Sequence, residues 1–333
     1  MRVVVTGATG NIGTACVRAL SSAGHEVVGV ARRSPVQTGH AAMPRGSVTW
    51  VERDLTNDDL QPVVDADAIV HLAWRFQPTR NPEVTWQTNA VGTHRLLDAA
   101  AAAGPSALIC ASSIAAYSPA TGDAPVGEDW PTDGTSAAAY CREKAYVERL
   151  LDGFERRRPD SRVVRLRPAF VFQRVAASEQ RRIFGGPLAR PSLFGRGRVP
   201  LVPIPTGLRL QAVHAADVAA AVVAAVERAF NGPVNLAGSG TLGATEIGRL
   251  LGARPVPVPA GIVRGGLATA FHARLAPVPP ELFDALIRLP VLSTDRARNE
   301  LGWRPEHSAE DAVAAFLSGA RLRAGSTMPP LHR

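Results

Sequence analysis

Short apolar runs recur through the first half of the chain, and stretches with helical spacing of apolar residues separate them. RVVVTG (2–7), HEVVGV (25–30), SVTWVERD (47–54), DAIVHLA (67–73), ALICASS (107–113) and SRVVRLRP (161–168) predict six strands. Residues 11–23, about 83–103 and 136–158 predict helices. Nearly continuous apolar strands alternating with helices predict a parallel sheet covered on both faces. The pattern loosens after Pro168, and residues 174–210 are rich in Pro, Gly and Arg without a clear period. Residues 210–229 return to strand-then-helix, with His214 in the linking strand and Asp217 as the expected N-cap. GPVNLAG (232–238) predicts a further strand, and the rest, to about residue 322, mixes short helices with Pro-rich linkers.

The first strand runs straight into VTGATGNIGTACVRAL, which sets Gly7, Gly10 and Gly13 three residues apart before a helix. Glycine permits a tight turn and close backbone approach to a pyrophosphate, and the helix start offers free N–H groups to an anion. Gly7, Thr9, Gly10, Asn11, Ile12 and Gly13 are therefore candidate dinucleotide contacts. An acid at the end of the second strand would bind the ribose hydroxyls of NAD. Here GVARR places Arg32 and Arg33, whose guanidinium groups suit a 2′-phosphate, so NADP(H) is favoured and NAD(H) remains possible. The expected fold class is α/β, a Rossmann-type doubly wound parallel sheet with a smaller mixed α/β C-terminal substrate domain. Residues 1–170 form the dinucleotide domain and also receive about 208–238. Residues 171–207 and 239–322 form the smaller domain, and the polar, Pro-rich 323–333 is an expected disordered tail.

Composition excludes more than it selects. Of 333 residues, 46% are apolar and 20% charged, which is ordinary for a globular protein. Formal charge is +8, but the arginines are dispersed, with no aromatic-interleaved basic tract, so no nucleic-acid partner is expected. Cys16, Cys110 and Cys141 show no metal spacing, and no metal is expected. An odd cysteine count with no disulfide framework, no signal peptide and no apolar run of membrane length point to a cytoplasmic protein without a membrane partner.

The 37 basic residues include a single lysine, Lys144, in AAYCREKAYVERL. It lies four residues after Tyr140, so the two share a helix face. A phenol with pKa near 10 is a poor base at pH 7, and a nearby ammonium favours its phenolate. A compact ammonium can do this while holding ribose hydroxyls, where the wide guanidinium fork of Arg would not fit. Ser113 follows the fifth strand at the edge where open α/β sheets bind ligands, and its hydroxyl can polarise a carbonyl.

With these residues placed, the chain resembles the extended short-chain dehydrogenase/reductase superfamily, the NAD-dependent epimerase/dehydratase group, over about residues 1–320. The motifs are TGATGNIG, RDL (53–55), DAIVHLAW (67–74), TNAVGTHRLLDAA (88–100), SSIAAY (112–117), YCREK, LRP (166–168), VHAADVAAAV (213–222) and LGWRP (301–305). The resemblance implies that Asp54 and Leu55 flank the adenine, and that Leu72 and Ala73 line the route to the nicotinamide ribose. It places Asn89 as a brace between the sheet and the active-site helix, and Pro168 near the carboxamide. It makes Tyr140 the acid/base, Lys144 its electrostatic partner and Ser113 the carbonyl-binding hydroxyl. It also implies a homodimer through a helix pair.

The departures bear on substrate. Ser113-Ile114-Ala115 stands where dehydratases carry Thr-Asp-Glu, which argues against elimination of water. Ala169 and Phe170 replace an Asn common in sugar-nucleotide epimerases, Ser118 replaces a Gly, and Trp74 replaces a small residue. Trp74, Phe76, Ser113, Gln173 and Arg181 are candidate substrate contacts, the last two in a loop at 172–186 expected over the site. The expected activity is an NAD(P)-dependent oxidoreductase acting on a carbonyl or alcohol carbon of a small organic molecule. An epimerase of a sugar nucleotide with transient oxidation, and a non-catalytic dinucleotide sensor, are the alternatives.

Overall fold

Val3 and Val5 point to one face of the first strand and Val4 to the other, and all three are fully buried. This two-sided burial is what continuous apolar strands require, and it fixes the sheet in the middle of the molecule. The structure, a computed structural model, describes residues 1–33, 35, 48–76, 80–185, 200–326 and 328–329.

The described strands are β1 (Arg2–Thr6), β2 (Glu26–Ala31), β3 (Val48–Glu52), β4 (Ala68–His71), β5 (Ala107–Ala111), β6 (Arg162–Pro168), β7 (Phe170–Phe172), β8 (Leu201–Pro205), β9 (Ala212–His214), β10 (Gly232–Leu236) and β11 (Arg254–Val258). The helices are α1 (Asn11–Ser22), α2 (Gln61–Val64), α3 (Pro82–Trp86), α4 (Gly92–Ala103), α5 (Ala139–Arg157) and α6 (Ala177–Gly185). They continue with α7 (Ala215–Glu227), α8 (Ala244–Leu251), α9 (Ala260–His272), α10 (Pro280–Leu286), α11 (Asp295–Asn299) and α12 (Ala309–Leu322).

Seven strands form a parallel sheet in the order β3-β2-β1-β4-β5-β6-β10. Val4 pairs with Val28 on one side and Ile69 on the other, and Val234 of β10 pairs with Leu166 of β6. One face is covered by α1 and α7, through Cys16, Val17, Leu20, Val218, Ala221 and Val222. The other is covered by α2, α4 and α5, through Val63, Leu96, Leu97, Val147, Leu151 and Phe154. Each fully buried Leu or Phe contributes roughly 1.5–3 kcal/mol of apolar burial. Two parallel pairs, β8 with β11 and β7 with β9, lie outside the large sheet.

The predicted strands and helices are present with ends moved by a few residues; Ser47, at the start of the third predicted strand, lies outside the described residues. The long helix expected over 83–103 is α3, a π-turn at Gln87–Val91, and α4 in succession. The π-turn contains Asn89, whose buried amide bonds backbone and side chain outside the helix, a frequent place for such a bulge.

Asp217 is not the N-cap of α7. His214 holds that position, and its Nδ1 accepts from Ala216 N–H at 3.3 Å. Asp217 lies in the first turn, where its buried carboxylate accepts from the N–H groups of Glu306 and His307. The tail expected to be disordered is docked at its described residues: Ser178 N–H donates to Ala324 O, and Met328 is buried. Residues 327 and 330–333 of that tail, 77–79 near Phe76, and 186–199 of the irregular stretch lie outside the described residues.

Candidate active site

The chain reverses direction between two neighbouring strands. From β1 it builds outward through β2 and β3, then returns to β4 and builds the other way. The crevice at the C-terminal ends of β1 and β4 is thus a topological switch point, the usual ligand site of an open parallel sheet.

The glycine loop lies across that crevice. Gly7 has φ of +68°, and a Cβ there would lie 2.7 Å from Ala73 Cα. A Cβ on Gly13 would lie 2.1 Å from Gly7 O. Both positions therefore exclude a side chain, and the loop packs directly on the Leu72-Ala73 backbone. Gly10 N–H donates to Gly7 O at 3.0 Å, and Gly10 caps α1 with no side chain. The first turn of α1 thus presents its N–H groups to an incoming anion. Asn11 Nδ2 donates to Val171 O at 2.9 Å, while its Oδ1 is buried without a protein partner among the described residues. Thr9 is buried, and Ile12 packs on the core below α1. An uncapped helix start and a crowded glycine cradle fit a dinucleotide phosphate.

Arg32 and Arg33 lie exposed at the end of β2. Across from them, Asp54 Oδ1 accepts from both Thr56 N–H (2.9 Å) and Thr56 Oγ1 (2.6 Å). Burial pushes the Asp54 carboxyl up, but these bonds and the charges of Arg32 and Arg95 outweigh it, and the net shift is downward. Leu55 is buried. Ala73 N–H donates to Thr6 Oγ1 at 3.3 Å, and Pro168 ends β6 paired with Leu236.

Tyr140 and Lys144 occupy the first two turns of α5. Tyr140 Oη donates to Ser113 Oγ at 3.2 Å, and Ser113 Oγ accepts from Ala115 N–H, which fixes the hydroxyl just beyond β5. Lys144 is buried, and its Nζ donates to Ala111 O at 2.8 Å. Burial pushes Lys144 down to about 8, against the pull of Cys110, Glu148 and Glu143. Lys144 was expected to lower the Tyr140 pKa; instead burial raises the phenol, opposed by its bond to Ser113. The ammonium lies 6.0 Å from the Tyr140 ring centroid, and desolvation is the largest cause of the shift. At neutral pH Tyr140 therefore holds its proton.

Two predicted substrate residues stand beside this trio. The Trp74 ring meets Tyr140 edge-on at 5.9 Å between centroids, and Phe76 does so at 4.7 Å. Phe76 also packs on Phe184 of α6. A cavity of about 190 Å³ opens beside them, lined by Phe76, Pro82, Ala138, Tyr140, Pro279 and Leu282 among others. Gln173 has a different place: it is buried, and its Nε2 donates to Asn11 O and Thr14 Oγ1, so it clamps the glycine loop. Arg181 lies on α6.

The sequence reading placed Asn89 against the active-site helix but missed Thr85, Glu143 and the buried network around Glu148. Asn89 Oδ1 accepts from Arg75 N–H, and its Nδ2 donates to Arg75 O and to Glu143 Oε2 at 2.7 Å. Thr85 Oγ1 donates to the other oxygen of Glu143. Glu148, fully buried, accepts from Ser112 Oγ (2.6 Å), Arg167 Nε (2.9 Å) and Arg165 Nη1 (3.1 Å). Arg167 also donates to Tyr117 Oη, which donates to Asn235 Oδ1 of β10. Burial pushes Glu148 up, but Arg167, Ser112 and Arg165 bring it net below the usual carboxylate range, so it stays charged. The signal was present: Arg165 and Arg167 alternate with apolar residues in the strand, and Glu148, Asp152 and Glu155 recur at helical spacing.

Three known proteins frame this geometry. An uncharacterized protein of Mycobacterium tuberculosis is 27% identical over 331 residues, which cover 98% of this chain and 31% of that protein. The chain thus spans about a third of the length of that relative. The UDP-glucose 4-epimerase of Mycolicibacterium smegmatis is 32% identical over 147 residues, covering 42% of this chain and 47% of the enzyme. The structure of MoeE5 in complex with UDP-glucuronic acid and NAD superposes with a TM-score of 0.68 at 22% identity, covering 97% of this chain and 100% of MoeE5. That likeness shows a shared fold. Residues 3–237 match the model of the NAD dependent epimerase/dehydratase family, and this protein belongs to it.

Proposed function

We propose that this protein is an NAD(P)-dependent oxidoreductase that reduces a carbonyl, or oxidises an alcohol, on a small organic substrate. The observation that carries the reading is the bond from Tyr140 Oη to Ser113 Oγ at 3.2 Å, one helical turn from the buried Lys144. When bound, a nicotinamide dinucleotide supplies or takes the hydride. Gly7, Gly10, Gly13 and the start of α1 would hold its pyrophosphate, with Arg32, Arg33 and Asp54 toward the adenosine end. Arg32 and Arg33 support NADP, and the NAD in the MoeE5 structure supports NAD.

The chain's own residues supply the proton and its direction. Ser113 Oγ donates to the carbonyl oxygen and orients it, while Tyr140 Oη transfers its proton to that oxygen as it becomes a hydroxyl. The raised phenol pKa suits this direction, because the acid is loaded at neutral pH. Phe76, Trp74 and Phe184 give the site an aromatic wall, which supports an apolar rather than a polyhydroxylated substrate. NADH and NADPH oxidation with a panel of apolar and sugar carbonyls tests the reading. Tyr140→Phe should cut turnover of any substrate found by about 100-fold or more with dinucleotide binding retained. Full activity in that variant would remove Tyr140 from the chemistry.

A second reading, epimerisation of a sugar nucleotide, is favoured by the match to the mycobacterial UDP-glucose 4-epimerase. It predicts dinucleotide that co-purifies and epimers that interconvert with no net absorbance change. The helix-pair homodimer is supported by an exposed aromatic pair, Trp86 of α3 and Tyr146 of α5, with ring centroids 4.8 Å apart. Trp86→Ser should shift sedimentation from dimer to monomer, and unchanged sedimentation would place any interface elsewhere.

A further inference from the structure

Lys144 has an unusual neighbour. Its Nζ lies 3.4 Å from the centroid of the Trp74 ring, well inside the range of a cation–π contact. The same ammonium donates to Ala111 O, and the residue is 3% exposed. The nearby carboxylates are committed elsewhere: Glu143 to Thr85 and Asn89, Glu148 to Ser112, Arg165 and Arg167. Cys110 and His71 also face the ammonium from β5 and β4, and Tyr140 from α5. His71 is neutral, held between Thr6 and Thr93, and burial keeps the Cys110 thiol protonated. The Trp74 indole N–H is itself buried without a partner among the described residues, so no hydrogen bond of its own aligns the ring. What the ring does make is the face contact with Lys144 and the edge contact with Tyr140.

We infer that Trp74 is a positioning residue: its indole face holds the Lys144 ammonium in place near Tyr140, acting as an uncharged second partner in addition to the Ala111 carbonyl. A π face attracts the charged form of lysine and leaves the neutral amine almost untouched. A buried ammonium without a bonded carboxylate needs such a partner to stay charged at neutral pH. The inference rests on the reading of Lys144 as a site residue, but not on any turnover.

The chain carries a single lysine, so the test needs no assignment. Protein grown with carbon-13 lysine gives one Cε–Hε correlation, and its pH dependence reports Lys144 directly. In the native protein the Hε protons should lie upfield, over the ring face, and titrate with a midpoint of about 8. In Trp74→Leu the upfield shift should vanish and the midpoint fall by about half to one and a half pH units. Trp74→Phe, which keeps a weaker π face, should recover part of both. If the Leu variant does not fold, Trp74→Met fills the volume without a π face and is compared with Phe. An unchanged midpoint in the Leu or Met variant overturns the inference. A midpoint that rises also overturns it, since the indole would then act by excluding water. Should Tyr140→Phe retain activity while the lysine signal follows the ring at position 74, the catalytic reading falls and this one stands.

Discussion

His71 shows how single residues set the conditions under which the site exists. It ends β4, fully enclosed, with Nδ1 2.8 Å from Thr6 Oγ1 and Nε2 2.9 Å from Thr93 Oγ1. Thr6 Oγ1 also accepts from Ala73 N–H, so each ring nitrogen has a hydroxyl within hydrogen-bond distance. Burial, with the charge of Lys144 nearby, pushes His71 down to about 3. Below pH 6.5 the unfolded chain takes up a proton that the folded chain refuses, so stability falls with pH from 6.5 toward 3. At pH 5 the loss should reach about 2 kcal/mol. Urea unfolding at pH 7 and pH 5 checks this, and the difference should largely disappear in His71→Gln. At this scale the sequence was informative where chemistry is local. Tyr140 and Lys144 lie one helical turn apart and could be paired by counting; the bond of Tyr140 to Ser113, and the place of Trp74 over the ammonium, needed the fold.

At the scale of elements, α5 is held by charge as much as by apolar packing. Its Leu151 and Phe154 lie in the core, while Glu148, Asp152 and Glu155 meet Arg165 and Arg167 of β6. The two arginines share a strand face with Val163, the face that α5 covers, because side chains alternate along a strand. Removing one partner of a buried pair leaves the other charge without compensation. Glu148→Ala should therefore cost about 3–5 kcal/mol of unfolding free energy. Asp152, which is about a third exposed, should cost at most about 1 kcal/mol as Asp152→Ala. Equal costs in urea unfolding would show that the network does not depend on burial. Such pairing is hard to see in a sequence, since it demands knowing which strand face meets which helix. The strands themselves were legible because apolar runs and glycine punctuation are local signals. Asn89, in the π-turn before α4, was expected as a brace, but its partner Glu143 on α5 became visible only in the fold.

For the whole molecule, the return of the chain from β3 to β4 creates the crevice, and the glycine loop decides what can enter it. Gly13 faces Gly7 O too closely for any side chain, whereas a Cβ on Gly153, within α5, would meet nothing within 4 Å. Gly13→Ala should weaken NADH or NADPH binding, followed by fluorescence, by at least about tenfold. Gly153→Ala should leave binding unchanged and add about 0.5–1 kcal/mol of stability. The glycine spacing and its strand-to-helix setting were readable from the first residues. The irregular segments after Pro168 were not, because their order comes from long-range contacts such as Gln173 on the start of α1.

The burial of Lys144 has a practical consequence. Every other basic side chain that bears a permanent charge is arginine, so the folded surface offers amine-directed reagents no lysine at all. Apart from the α-amino group, an amine-selective succinimidyl ester can mark this protein only when the crevice opens far enough to expose Nζ. Each such mark counts an opening event, and mass spectrometry of a timed reaction would give the opening rate of the site in a molecule that carries no introduced probe.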